Sequence, residues 1–310
     1  MSTPSPRSPG RTPARTRRAS STPSRSWSVF ALPGTAWLAV FFAVPLYAVA
    51  AIAFGRIDPV FRNALPAWNP LRWEFATFAD VLGEIVAGEL RGVAVRTVLF
   101  VVVAVFCSLA IGYPVAYYLA RSAGRTKTLI LVLIVLPFWV SYLMRMLAWV
   151  NLLQRDGLVA RFTSLFGIEH NWLDGSATAV TLGLVYGYVP FLILPLYATL
   201  ERLDWQLVEA ARDLGASPRQ AFWRVTVPLS RPGVAAGLML VALPMLGDYY
   251  TNDILSRSPR TEMLGNQIDF YLNAGTQPQR GAVLVLVLSF VLACLAWWYV
   301  RDNARSQEVR

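Results

Sequence analysis

Six long apolar runs alternate with polar segments along this 310-residue chain, at about residues 30–54, 97–120, 129–153, 179–200, 233–250 and 281–300. At about 1.5 Å of rise per residue, some 20 helical residues cross a hydrocarbon core of roughly 30 Å. The pattern therefore predicts an all-α, polytopic protein with about six transmembrane helices. Prolines fall inside these runs at Pro45, Pro114, Pro137, Pro190, Pro195 and Pro244. Each removes a backbone donor, which a membrane helix tolerates where neighbours or a wet cavity satisfy the freed carbonyl. Such breaks suit a transporter and also occur in inert bundles.

Between the fourth and fifth runs lies a polar stretch, residues 203–232, with dense helix punctuation. Asp204 is placed to cap a first short helix, and Gly215 to end it in a left-handed conformation. Ser217 then caps a second helix, with Pro218 at its first position and Gln220 completing a capping box. That helix is expected to stop near Pro228. The other polar segments are shorter on signal. Residues 1–28 are rich in Ser, Thr, Pro and Arg and predict a disordered basic tail; residues 29–302 form the permeation domain and 303–310 a short tail. In the outer loops, residues 75–90 read as helix-like and residues 158–162 as a small amphipathic turn.

Composition agrees with a membrane class: hydrophobic residues make up 55% and charged residues 15% of the chain, and the mean hydropathy is +0.46. Two cysteines, Cys107 and Cys294, and one histidine, His170, leave no disulfide framework, zinc motif or His/Cys cluster for an intramembrane enzyme. The 28 basic residues are biased. The tail carries Arg7, Arg11, Arg15, Arg17, Arg18 and Arg25, the first short loop Arg121, Arg125 and Lys127, the punctuated stretch four arginines with Arg202 just ahead of it, and the C-terminus three. Basic residues favour the cytoplasmic side, so both termini and residues 203–232 are expected there. A basic flank before a span is read as a topology signal and not as a nucleic-acid site. The run at 30–54 is too long for a cleaved signal peptide.

Within the punctuated stretch, Glu209-Ala210-Ala211, Gly215 and then Val225-Thr226-Val227-Pro228 resemble the EAA loop of ABC importer permeases, with Val225 and Val227 in place of the usual Ile and Leu. The resemblance implies a cytoplasmic helix-turn-helix in which Glu209, Ala210, Ala211, Gly215, Val225, Val227 and Pro228 engage an ATPase. It implies the type I importer fold, in the bacterial inner membrane. Further segments, including Pro137-Phe138-Trp139, Tyr186-Gly187-Tyr188 and Gly247-Asp248-Tyr249-Tyr250-Thr251-Asn252-Asp253, resemble the first permease of spermidine/putrescine importers from about residue 30 to 301. The resemblance implies a second homologous permease, a cytoplasmic ABC ATPase dimer and an extracytoplasmic substrate-binding protein as partners. No phosphate-binding Gly-x-x-x-x-Gly-Lys-Ser/Thr loop is present, so ATP and Mg are expected on the partner ATPase and no cofactor on this chain. Permeases for ferric iron or phosphonate share much of this core, and an ion-gradient transporter would account for the prolines without the EAA loop.

Two ionisable residues, Arg145 and Asp248, fall at matching depth, on the order of 22–24 Å from the inner boundary. An ion pair pinning two helices and a path-lining role are the two readings. For an organic cation, Asp248, Asp253, Tyr249, Tyr250 and Trp149 form the candidate path, with Glu262 and Asp269 nearby. The alternative is that the tyrosines anchor at the interface and the acids are solvated or partner Arg145.

Overall fold

The computed structural model describes residues 25–58, 64–167, 171–273 and 277–308. The expected tail over residues 1–24 and His170 lie outside these; Arg25–Ser28 form the first turn of a helix. The chain divides into two units, one ending at Tyr47 and the other beginning at Ala48. The first unit holds most of α1 (Arg25–Ala53), whose apolar side chains, Leu38 and Phe42 among them, are exposed, as befits a surface meant for lipid.

The second unit is built almost wholly of helices. A two-residue antiparallel ladder, β1 (Arg56–Ile57) with β2 (Ala64–Leu65), leads to α2 (Ala76–Ala87) and α3 (Leu90–Arg121). Then come α4 (Arg125–Val135), a 3-10 turn (Leu136–Trp139), α5 (Tyr142–Leu153), α6 (Leu158–Ser164) and α7 (Ala177–Glu201). The polar stretch gives α8 (Gln206–Asp213) and α9 (Pro218–Ala221), and a π turn (Phe222–Thr226) joins α9 to α10 (Val227–Leu246). The last three helices are α11 (Tyr250–Leu255), α12 (Leu264–Asn273) and α13 (Pro278–Glu308). The helix expected in the first outer loop is present as α2, and where a small amphipathic turn was expected at 158–162 the chain forms the seven-residue helix α6.

Among the described residues, five helices are long and apolar enough to cross a membrane, or six if one bent pair counts as a single span. The bent pair corrects the expected third span over 129–153. Residues Arg125–Trp139 and Tyr142–Ser164 meet at 97°. Pro137 has no N–H to donate and its ring opposes a continued α-turn, so the chain tightens into the 3-10 turn and becomes extended at Val140. The fifth span differs too: α10 ends at Leu246, ahead of Asp248 and the two tyrosines.

At the centre, α7 packs against α3 on one side and α10 on the other. Phe100, Ala104, Ala116 and Leu119 of α3 meet Leu184, Leu192, Leu196 and Leu200 of α7, with Val241 and Met245 of α10 closing the cluster. The outer loop is tied to this core through α3. Arg96 donates to the carbonyls of Glu262 (3.1 Å) and Arg260 (2.9 Å), and Thr97 Oγ1 accepts from the Leu264 N–H at 2.8 Å.

Candidate functional site

Three places gather the functional residues expected from sequence. The first is the polar stretch. Asp204 accepts from the Gln206 N–H at 3.0 Å, capping α8 from just ahead of its first turn. At the other end Gly215 has φ 90°. The Gly215 N–H donates to Arg212 O (2.9 Å) and the Ala216 N–H to Ala211 O (3.0 Å), the paired bonds of a Schellman end. The capping box is complete: Gln220 N–H donates to Ser217 Oγ at 3.3 Å, and Ser217 N–H to Gln220 Oε1 at 2.9 Å. The expected stop at Pro228 does not occur. In the π turn the Val227 N–H reaches back to Phe222 O, and Pro228 falls in the first turn of α10, where its missing donor costs little. A single span thus runs from Pro218 to Leu246.

One face of this element seats on α3. Phe222 lies edge-on to Tyr113 (5.6 Å) and Tyr117 (5.5 Å), and Arg121 lies over the Trp205 ring at 5.0 Å. Val208 and Ala221 are buried there, and Val225, Val227 and Pro228 are half-buried. Away from α3 the element is open, with Ala210 exposed and Leu214 90% and Trp223 67% accessible; Glu209, also exposed, lines a small pocket with Tyr117, Arg121 and Trp205 at the edge of the seated face. Ala211 lies between the two faces.

The second place is Asp248. It is buried and takes no ion pair from Arg145, which corrects the pairing reading. Its Oδ1 accepts from the Thr251 N–H at 3.0 Å and its Oδ2 from Thr251 Oγ1 at 2.7 Å, so it caps α11. Tyr188 donates to Oδ2 at 3.0 Å, and the Tyr142 hydroxyl sits 3.2 Å from Oδ2 and 2.5 Å from Thr251 Oγ1. Three donors, with the Tyr142 hydroxyl beside them, replace the hydration that a carboxylate loses on burial. Arg145, also buried, packs its guanidinium over the rings of Phe138 (5.2 Å), Tyr142 (5.3 Å) and Tyr186 (6.0 Å). Tyr142 can come this close because Gly187 opposes its ring; a Cβ there would stand 2.8 Å from Tyr142 Cε2. Tyr142 and Tyr188 were not among the site residues expected from sequence. The signals were there: Asp248 and Thr251 at capping spacing, and tyrosines inside apolar runs, whose hydroxyls need partners.

The third place is an outer groove of about 480 Å³, lined by Leu143, Tyr250, Asn252, Asp253, Arg257 and Glu262. Asp253 Oδ1 accepts from Asn266 Nδ2 at 2.7 Å, and Asn266 also donates to the Tyr249 carbonyl at 3.0 Å, tying α12 to α11. Burial holds the Asp253 carboxyl above the usual carboxylate range. The charges of Asp269 and Asp248 add to that shift, while the Asn266 bond and Arg257 oppose it. Tyr249 and Tyr250 stack at 4.1 Å. Of the five expected path residues, the groove gathers Asp253 and Tyr250. Asp248 is in the buried knot, and Trp149 packs on Tyr186 at 5.4 Å in a separate apolar cluster.

A bundle of proline-bearing apolar spans, one of them beginning in a capped polar turn, is the architecture of a polytopic membrane protein. The chain matches the family described as binding-protein-dependent transport system inner membrane component over residues 108–301, and it belongs to that family of ABC importer permeases. It is 36% identical over 204 residues to the spermidine/putrescine transport system permease protein PotB of Escherichia coli, covering 65% of this chain and 74% of that protein. The PotB protein of Haemophilus influenzae is 32% identical over 269 residues, 86% of this chain and 90% of that one. A molybdenum transport system permease, ModB of Mycobacterium bovis, is 30% identical over 262 residues, 84% of this chain and 89% of that protein. Among solved structures, a bacterial alginate ABC transporter in complex with its pentasaccharide-bound periplasmic protein superposes with a TM-score of 0.66 at 16% identity. That match covers 91% of this chain and 95% of the other.

Proposed function

We propose that this permease pairs with a second, homologous permease to form the path of a polyamine importer of the spermidine/putrescine class. The observation that carries the reading is the identity of 36% and 32% to two permeases of that named class. The groove supports it chemically, because Asp253, Glu262 and the Tyr250 ring suit a flexible organic cation. The molybdenum permease relative favours a second reading, an oxyanion path, but two carboxylates at the groove oppose an anion.

The open face of α8 and the turn, with Glu209, Ala210, Ala211 and Gly215, is read as the docking surface of a cytoplasmic ABC ATPase dimer, which binds ATP and Mg. Val225, Val227 and Pro228 carry that contact into the span. Movement at the docking face passes along the Pro218–Leu246 span to Asp248 and α11, where an extracytoplasmic binding protein delivers the solute. The basic-residue bias supports a reading with both termini on the ATPase side of the bacterial inner membrane.

The test is uptake of labelled putrescine and spermidine by the complete complex in proteoliposomes, with molybdate uptake measured in parallel. ATP-dependent uptake of either polyamine supports the reading. Uptake of molybdate alone, or of none of the three, overturns the substrate class.

A further inference from the structure

Asn252 lines the outer groove and is 1% exposed. Its Nδ2 donates to Asn266 Oδ1 at 3.2 Å, but its Oδ1 has no hydrogen-bond partner among the described residues. A buried carbonyl left without a donor is costly, and native structures seldom keep one without a use. Two carboxylates share the groove. Asp253 spends one oxygen on Asn266 and Glu262 one on Gln267, at 2.7 Å each. The remaining oxygen of each has no donor among the described residues. Arg257, the cation of the groove, is turned to the Asp253 carbonyl, which its Nε reaches at 2.9 Å.

Apart from the solvent-exposed terminal nitrogens of Arg257, the unfilled positions are acceptors, two of them on carboxylates, so a ligand seated on them brings N–H donors and positive charge. A primary ammonium carries three donors on a compact cation. A metal ion would also take oxygen ligands, but no group of three or more His, Cys, Asp or Glu able to hold one occurs among the described residues. The exposed face of Tyr250 adds an aromatic surface suited to the methylenes that follow an amine nitrogen.

We propose that the groove is a primary-ammonium site, in which Asn252 Oδ1, Asp253 and Glu262 receive one terminal –NH₃⁺ of an elongated amine and Tyr250 covers the adjoining methylenes. The proposal rests on the amine-uptake reading above and assigns that class of solute to particular atoms. The Asn252 oxygen is covered in this conformation, so the amine reaches it only after a local opening of the groove.

The experiment is isothermal titration of the purified permease–ATPase complex, without binding protein, with putrescine as the probe and tetramethylammonium, which has no N–H, as the control. Wild type binds putrescine and not tetramethylammonium. Glu262→Gln and Asn252→Leu each weaken putrescine about tenfold or more, the loss of one charge-assisted bond. Asn252→Asp, which keeps the acceptor, retains binding. Failure of wild type to bind putrescine, equal binding of tetramethylammonium, or unchanged affinity in Glu262→Gln overturns the site. These results are separable from the uptake result: putrescine binding with no polyamine uptake keeps the groove and removes the substrate class, and uptake without binding does the reverse.

Discussion

Tyr188 donates its hydroxyl to the Asp248 carboxylate across 3.0 Å, which joins α7 to the start of α11 deep in the protein. The same carboxylate takes Thr251 and has the Tyr142 hydroxyl beside it, while the Tyr142 ring faces Arg145. The two buried charges are thus linked through a tyrosine: Asp248 is met by hydroxyl and N–H donors, whereas Arg145 rests on aromatic rings and its Nε has no hydrogen-bond partner among the described residues.

A double-mutant cycle separates this arrangement from an ion pair. Tyr188→Phe and Asp248→Asn should show a coupling of about 0.5–2 kcal/mol in thermal unfolding of the detergent-solubilised protein. Arg145→Ala and Asp248→Asn should be nearly additive. A larger coupling for the Arg145 pair than for the Tyr188 pair would contradict the geometry.

Gly215 has φ 90° with open space where a Cβ would stand, so a side chain there meets backbone strain and no clash. Gly215→Val should cost about 1–2 kcal/mol locally and misaim the α8 turn. The expected outcome is reduced recovery of the ATPase subunit with the affinity-purified permease, at unchanged membrane insertion; Gly215→Asn should be milder. Full ATPase recovery in Gly215→Val would separate the turn from docking.

Thr226, the last residue of the π turn, is fully buried and its hydroxyl has no partner among the described residues. Replacing it by the isosteric valine removes a desolvated hydroxyl, so Thr226→Val should be neutral or stabilising by up to about 1 kcal/mol. A fall in melting temperature would mean that the hydroxyl has a partner in the working protein.

Asp253 gives a pH signature. Its folded-state carboxyl is held above the ordinary value of about 3.9. A group raised in this way favours the folded state at low pH, and that contribution fades as pH rises through the folded value. Cation binding needs the ionised form and changes in the opposite sense, weakening on acidification from a pH above the ordinary carboxylate range. Putrescine titrations from pH 8 down to about pH 4 check this. In Asp253→Asn the onset should shift downward.

Much of this was legible in the sequence because the signals were local. The caps at Ser217 and Gly215 are set by residues three to six positions apart, and five apolar runs became helices. The failures came where a proline's effect depended on its surroundings. Pro137 broke a run that hydropathy read as continuous, while Pro228 did not end its helix because the π turn shifted the hydrogen-bond register ahead of it. The site failed where depth stood in for contact. Arg145 and Asp248 fall at equal height, but the 97° bend turns α5 and gives Arg145 to aromatic rings. Tyr142 and Tyr188 reach Asp248 from chain positions 106 and 60 residues away, a proximity that only the folded bundle creates.

That ATP hydrolysis on a separate subunit drives this permease through the open face of α8 is tested most directly by a cross-link. Ala210→Cys, placed in a chain whose Cys107 and Cys294 are replaced by serine, is assembled into the complete complex and treated with a short bifunctional thiol reagent. A covalent product with the ATPase subunit, absent when the cysteine is placed at the lipid-exposed Val102 on α3, is the predicted result. An assembled, transport-active complex in which Cys at position 210 stays free for alkylation throughout the ATP cycle would contradict it.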